Sequence, residues 1–275
     1  MNPSSPSTRR VTKDTGHFTR STQGSRSLER GLLLLREFRL GASSLTNADL
    51  ARRSGLPRPT VSRLTRSLVD GGFLSYDVEQ GAYQLAPVVL SLADAFRFAH
   101  QATEVAGPFM REVAQEYRVN VGLAVADQTE MVYLIALRHS PDSTSRLRRV
   151  TTGTRIPMHR TATGLAYLAA LPPDALRSIL DMVVRSAGAR AGARAATYHQ
   201  ELMDTVARVK RQGYGTAAYM PGNQAVGRAL VGPDRQLYVT NISFEAQAPT
   251  SAAEIRQYAK VLKEMNEAIQ TAWRA

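Results

Sequence analysis

Apolar side chains recur at helical intervals from residue 28. Leu28, Leu32, Leu35 and Phe38 predict an amphipathic helix opened by Ser27 and stopped by Gly41. A second, short helix is predicted over Asn47–Arg53, capped by Thr46, with Leu50 and Ala51 inward and Ser54-Gly55-Leu56-Pro57 as its closing turn. A third starts near Pro57, turns Val61, Leu64 and Leu68 to one side and closes at Gly71-Gly72. Phe73–Tyr76 and Ala82–Leu85 then alternate at period two around Gly81, the mark of a hairpin.

Helical spacing returns from Pro87 to about Ala99 and again to about Tyr117, and one of these helices links two domains. Beyond it, strands are predicted at Val119–Ala126, Met131–Leu137 and Leu147–Thr151. Helices follow at Ala162–Ala170, Pro173–Val184 and Tyr198–Gln212, then strands at Ala225–Val231 and Gln236–Phe244, and a closing helix from Ser251 to Trp273. This order implies an α+β protein whose second half is an antiparallel or mixed sheet flanked by helices. The Ala, Gly and Arg run from Arg185 to Arg194 reads as a solvated interhelical loop. Residues 1–25, rich in Ser, Thr, Pro and Arg, read as a disordered basic tail.

At 275 residues the length favours two domains, since one domain takes roughly 100–200. The net charge of +12 rests mostly on Arg, with Lys only at positions 13, 210, 260 and 263, and suits a polyanionic partner. Without cysteine, disulfides, thiolate nucleophiles and Cys-based zinc sites are excluded. No signal peptide or long apolar run is present, so a cytoplasmic protein is expected.

Three short helices and a hairpin form the pattern of a winged helix-turn-helix. The polar face of the third helix offers Arg58, Thr60, Ser62, Arg63 and Arg66, with no acid before Asp70. Arg forks suit guanine edges, while Ser and Thr suit phosphates or a thymine methyl. Enzyme signatures are missing: the five histidines lack H-E-x-x-H spacing, and neither G-x-S-x-G nor a P-loop occurs. Gly213-Tyr214-Gly215-Thr216-Ala217-Ala218 fits a dinucleotide fingerprint only formally, because it follows a helix and is stopped by Pro221-Gly222. His159, without an evident partner, reads as a structural hydrogen-bonding residue. The alternatives to a regulator are a small-molecule-processing enzyme and a nonspecific architectural DNA-binding protein.

Three segments resemble the IclR-type bacterial transcriptional regulators: Ser27-Leu28-Glu29-Arg30-Gly31-Leu32, the run from Leu50 to Leu64, and Tyr83-Gln84-Leu85-Ala86-Pro87. So do Gly153 with Ile156–Gly164, and Gly213-Tyr214 with Pro221-Gly222. The resemblance spans about residues 26–273. It implies a winged helix-turn-helix over 26–86, a linker helix over 87–101 and a GAF-like α/β effector-binding domain over 102–275, working as a dimer or dimer of dimers without a cofactor or metal. Carried over, Arg58, Thr60 and Arg63, with Ser62 and Arg66, contact a double-stranded operator. The effector pocket takes Arg148, Val150, Ala162, Thr163, Gly164, Asn223, Ala225, Asn241, Ile242 and Phe244. A helix start there favours an anionic group, hence an organic or aromatic acid. The chain departs from the family at Leu165, where many members have Lys, and at Gly215–Met220, which replaces an acidic cluster. It departs again in the wing, where Asp77 and Glu79 stand in place of basic residues and are expected to repel phosphate.

Overall fold

The computed structural model describes residues 24–99, 102–139, 150–191, 195–220, 222–245 and 250–274. The chain divides into two compact units between Ser91 and Leu92. The predicted tail, up to residue 23, lies outside the described residues.

In the first unit, α1 (Arg26–Leu35) is capped by Ser25, whose hydroxyl accepts from the Leu28 N–H. The helix is shorter than predicted and rotated. Leu28 and Leu32 are 62% and 50% exposed, while Gly31, Leu34 and, beyond the helix, Phe38 are buried. Four consecutive leucines leave the phase of the helix open, and packing against the third helix, Arg58–Asp70, decides it. A short strand, β1 (Ser44–Thr46), leads into α2 (Asn47–Ser54). The Thr46 N–H donates to Asp49 Oδ2, and the Asp49 N–H donates back to Thr46 Oγ1, both at 3.1 Å. This reciprocal cap satisfies two donors at the helix start, and its hydrogen bonds hold the Asp49 carboxyl down at about 2. Gly55, at φ +71°, turns the chain sharply into α3 (Arg58–Asp70). Strands β2 (Leu74–Asp77) and β3 (Ala82–Leu85) close the unit as an antiparallel sheet in the order β1-β3-β2. Leu34, Leu45, Leu50, Val61, Leu74 and Tyr83 share its core.

α4 (Val88–Ala99) carries the chain across the unit boundary and α5 (Ala102–Glu116) follows. The second unit holds β4 (Asn120–Asp127), β5 (Glu130–Leu137), β6 (Arg155–Pro157), β7 (Gly215–Met220), β8 (Asn223–Val231) and β9 (Leu237–Glu245). They form one antiparallel sheet, ordered β6-β5-β4-β9-β8-β7. Alternation along β4 sends Val121, Leu123 and Val125 to the face covered by α5 and α9 (Ala252–Ala272), and Ala124 to the face covered by α6 (Ala162–Ala170), α7 (Pro173–Ala191) and α8 (Ala195–Gln212). The ends of the first layer are tied together: Trp273 Nε1 donates to the Ala102 carbonyl at 3.2 Å, with its ring 5.7 Å from that of Tyr238.

Three differences from the sequence reading have local causes. The run from Arg185 continues α7 to Ala191, since alanine is the best helix former and outweighs one glycine. Of the strand expected at Leu147–Thr151, residues 147–149 lie outside the described residues, while Val150–Thr154 is irregular around Gly153 at φ +83° and β6 follows it. β7 is an additional edge strand whose small residues carry little period-two signal. It also makes Gly213–Ala218 a turn and strand, with no nucleotide-binding helix after it.

Candidate functional site

Two places carry the chemistry. The first is α3. Val61 and Thr65 are fully buried and Leu64 and Leu68 partly so, which leaves Arg58, Ser62, Arg63 and Arg66 exposed and Thr60 half-buried on the remaining faces. Thr65 resolves its burial by donating to the Ser62 carbonyl at 3.1 Å. The first turn has Pro57 as N-cap and no side-chain cap, so its N–H groups face solvent unpaired by side chains and favour an anion. Asp70, 3.9 Å from Arg66 Nε, is the sole acid of the helix and sits at its far end. In the wing, Asp77 Oδ1 accepts from the N–H groups of Glu79 and Gln80 at 2.9 and 3.0 Å. The acid at 77 builds the hairpin turn.

The second place is a cavity of about 530 Å³ at one end of the large sheet, lined from both helical layers, by Ala162 and Thr163 at the start of α6 and by Glu254 and Tyr258 of α9, a size suited to a small organic ligand. Register orders its walls. Ala136, Gly122 and Asn241 lie side by side across β5, β4 and β9, and Asn120 pairs with Ser243 two residues further along, about 7 Å away. A Cβ on Gly122 would overlap the Tyr133 ring and the Asn241 amide, so glycine there makes the floor. α6 closes the cavity. Thr161 caps it, accepting from the Gly164 N–H at 3.2 Å, and places Ala162 and Thr163 on the lining. That placement depends on contact without side chains: a Cβ on Gly164 would strike the backbone of Met158, and one on Gly227 the backbone of Ala162.

The deep end is polar and uncharged. Tyr133 and Thr163 hydroxyls are 3.4 Å apart, and burial pushes the Tyr133 phenol up, only partly offset by Thr163 and Asn241. Asn241 is buried, and its Oδ1 has no protein hydrogen-bond partner among the described residues. At the other end Arg118, Arg138 and His139 line the cavity together with Glu245 and Glu254. Arg138 Nη2 donates to the Val150 carbonyl at 3.4 Å, and the His139 N–H donates to Asn120 Oδ1 at 3.3 Å.

Of the expected pocket residues, Val150, Ala162, Thr163, Asn223, Ala225, Asn241 and Phe244 line this cavity. Gly164 and Ile242 do not. Gly164 packs on Met158, and Ile242, one position out of phase with Asn241, points into the α5–α9 core. Arg148 lies outside the described residues. Tyr133, Gly122, Asn120 and Arg118 were not anticipated. An isolated glycine inside the strand Val121–Val125 was the available signal, since it marks a close approach. His159 Nδ1 is buried with no hydrogen-bond partner among the described residues, and its ring stands edge-on to Tyr198 at 6.0 Å.

Residues 27–78 match the model of the IclR helix-turn-helix domain, and residues 99–271 match that of the bacterial transcriptional regulator IclR C-terminal region. An HTH-type transcriptional regulator of Mycobacterium tuberculosis is 29% identical over 82% of this chain and 84% of its own. The acetate operon repressor of Salmonella typhimurium is 26% identical over 68% and 67%. Among solved structures, an IclR family transcriptional regulator from Brucella abortus superposes with TM-score 0.77 at 28% identity, covering 94% of this chain and 97% of that one. An IclR homolog from Microbacterium hydrocarbonoxydans, complexed with 4-hydroxybenzoate, shares the fold at TM-score 0.64 and 24% identity, over 90% and 99%.

Proposed function

This chain belongs to the IclR family of bacterial transcriptional regulators, and from that premise we propose that it binds one operator specifically and releases or grips it according to a small organic or aromatic acid held in the second unit. The cavity beneath α6 carries this reading, because it joins an apolar wall to a few convergent polar groups. Operator contact falls to Arg58, Thr60, Ser62, Arg63 and Arg66. The near absence of acid on that surface of α3 supports this. Effector contact falls to Thr163, Asn241, Asn223 and their neighbours around the cavity.

The protein acts as a cytoplasmic homo-oligomer and not as a catalyst. Exposed Leu28 and Leu32 on α1 and Leu90 and Phe98 on α4 support self-association, and no helix among the described residues is long and apolar enough to cross a membrane. DNA selected from a random pool by the full chain, then titrated with and without benzoate or another small acid, tests the reading. An acid that changes operator affinity by about 5–150-fold is the expected result. Sequence-indifferent DNA binding, or operator binding that no small acid alters, overturns it.

A further inference from the structure

We propose that Arg118 receives the anionic group of the ligand at the mouth of the cavity and so sets a preference for acids over their neutral counterparts; this rests on the effector reading above. Arg118 lies two residues beyond the last residue of α5, in the left-handed region, at φ +53°. The Tyr117 N–H donates to the Val113 carbonyl at 3.1 Å, and the Val119 N–H reaches back to Ala114 at 3.3 Å. This closure places a left-handed residue at the position where glycine is usual. An arginine there is strained by its Cβ.

What the side chain supplies is a guanidinium on the cavity lining. It is exposed and forms no ion pair with any described residue, although Glu245 and Glu254 line the same cavity. Arg138, the neighbouring cation, is engaged by the Val150 carbonyl. The far end, at Tyr133, Thr163 and Asn241, holds neutral groups. A carboxylate entering the cavity therefore meets its uncommitted positive charge at Arg118. Backbone strain kept at a ligand site is the pattern expected where stability has been exchanged for binding.

Two variants of the full chain separate charge from strain: Arg118→Gly removes both, and Arg118→Gln removes the charge alone. The probes are benzoate, phenylacetate and succinate, each against its amide, followed by calorimetric titration and by melting temperature. In wild type the acids bind more tightly than the amides. Both variants are expected to bind acids about tenfold more weakly while holding the amides unchanged, and the Gly variant alone is expected to melt up to about 4 °C higher without ligand. Variants that bind the acids as wild type does overturn the role of Arg118 and leave the cavity reading standing. A wild type that none of the acids stabilises overturns the acid reading, and the proposal with it. A Gly variant that melts below wild type overturns the strain argument.

Discussion

Tyr133, on β5, and Thr163, in the first turn of α6, bring their hydroxyls to 3.4 Å of one another at the closed end of the cavity. The pair joins sheet to helix at the end of the cavity where, in the proposed function, a ligand's inner end is expected. Tyr133→Phe is expected to fold and bind operator normally but to lose about 0.5–1.5 kcal/mol of effector affinity, one neutral hydrogen bond. Thr163→Trp fills the space beside it, so that operator binding persists and effector response is abolished. Titrating effector with and without operator checks both variants. A full response in the Trp variant would place the effector elsewhere.

On the proposed DNA-binding surface, Arg63 and Arg66 are expected to make different kinds of contact. Arg63→Ala is expected to cost about 1–3 kcal/mol on the preferred operator and to relax selectivity at one base pair. Arg66 shares its helix end with Asp70. Arg66→Ala is expected to weaken all DNA alike and flatten the salt dependence by about one unit. Binding isotherms at several salt concentrations separate the two.

Much of this organisation was legible beforehand because periodicity reports burial. The hairpin of β2 and β3, the strands β4, β5, β8 and β9, α3 and the start of α6 follow from apolar spacing and caps such as Thr46, whereas β1, β6 and β7 do not. What escaped was decided by contacts distant in sequence. The phase of α1 depends on α3, Tyr133 faces the cavity through the pairing of β5 with β4, and Ile242 is taken up by the core under α5 and α9 while Phe244, on the same side of β9, reaches the cavity nearer the strand's end. Arg118 became visible as a candidate only through its backbone angle.

Gly227→Ala tests how closely α6 must sit. The added methyl would meet the carbonyl of Ala162, a rigid backbone atom that has no rotamer to yield. Overpacking of this kind costs about 1–3 kcal/mol, so the denaturation midpoint is expected to fall and the cavity to deform with it. Unchanged stability and ligand binding would mean that the helix rides freely over the sheet.

His159 gives stability a dependence on pH. Burial, reinforced by the neighbouring Arg160 charge, holds its imidazole below the ordinary value of 6.5, so the folded state favours the neutral ring. A depressed folded value means that its contribution is complete above 6.5 and is lost as pH falls through the folded value. The melting temperature should therefore drop on acidification from pH 7 towards 5. His159→Phe keeps a ring against Tyr198 and should show a shallower drop. Identical profiles would assign the acid sensitivity to other groups.

The indole that ties Trp273 to the carbonyl of Ala102 is the only one in the chain. Excitation at the red edge of the absorption band therefore addresses a single reporter, where the last helix of the second unit meets its first. Tyrosine excitation adds energy transfer from the adjoining Tyr238 ring. Any rearrangement that pulls these two helix ends apart changes the colour and brightness of the protein's own emission, with no label attached.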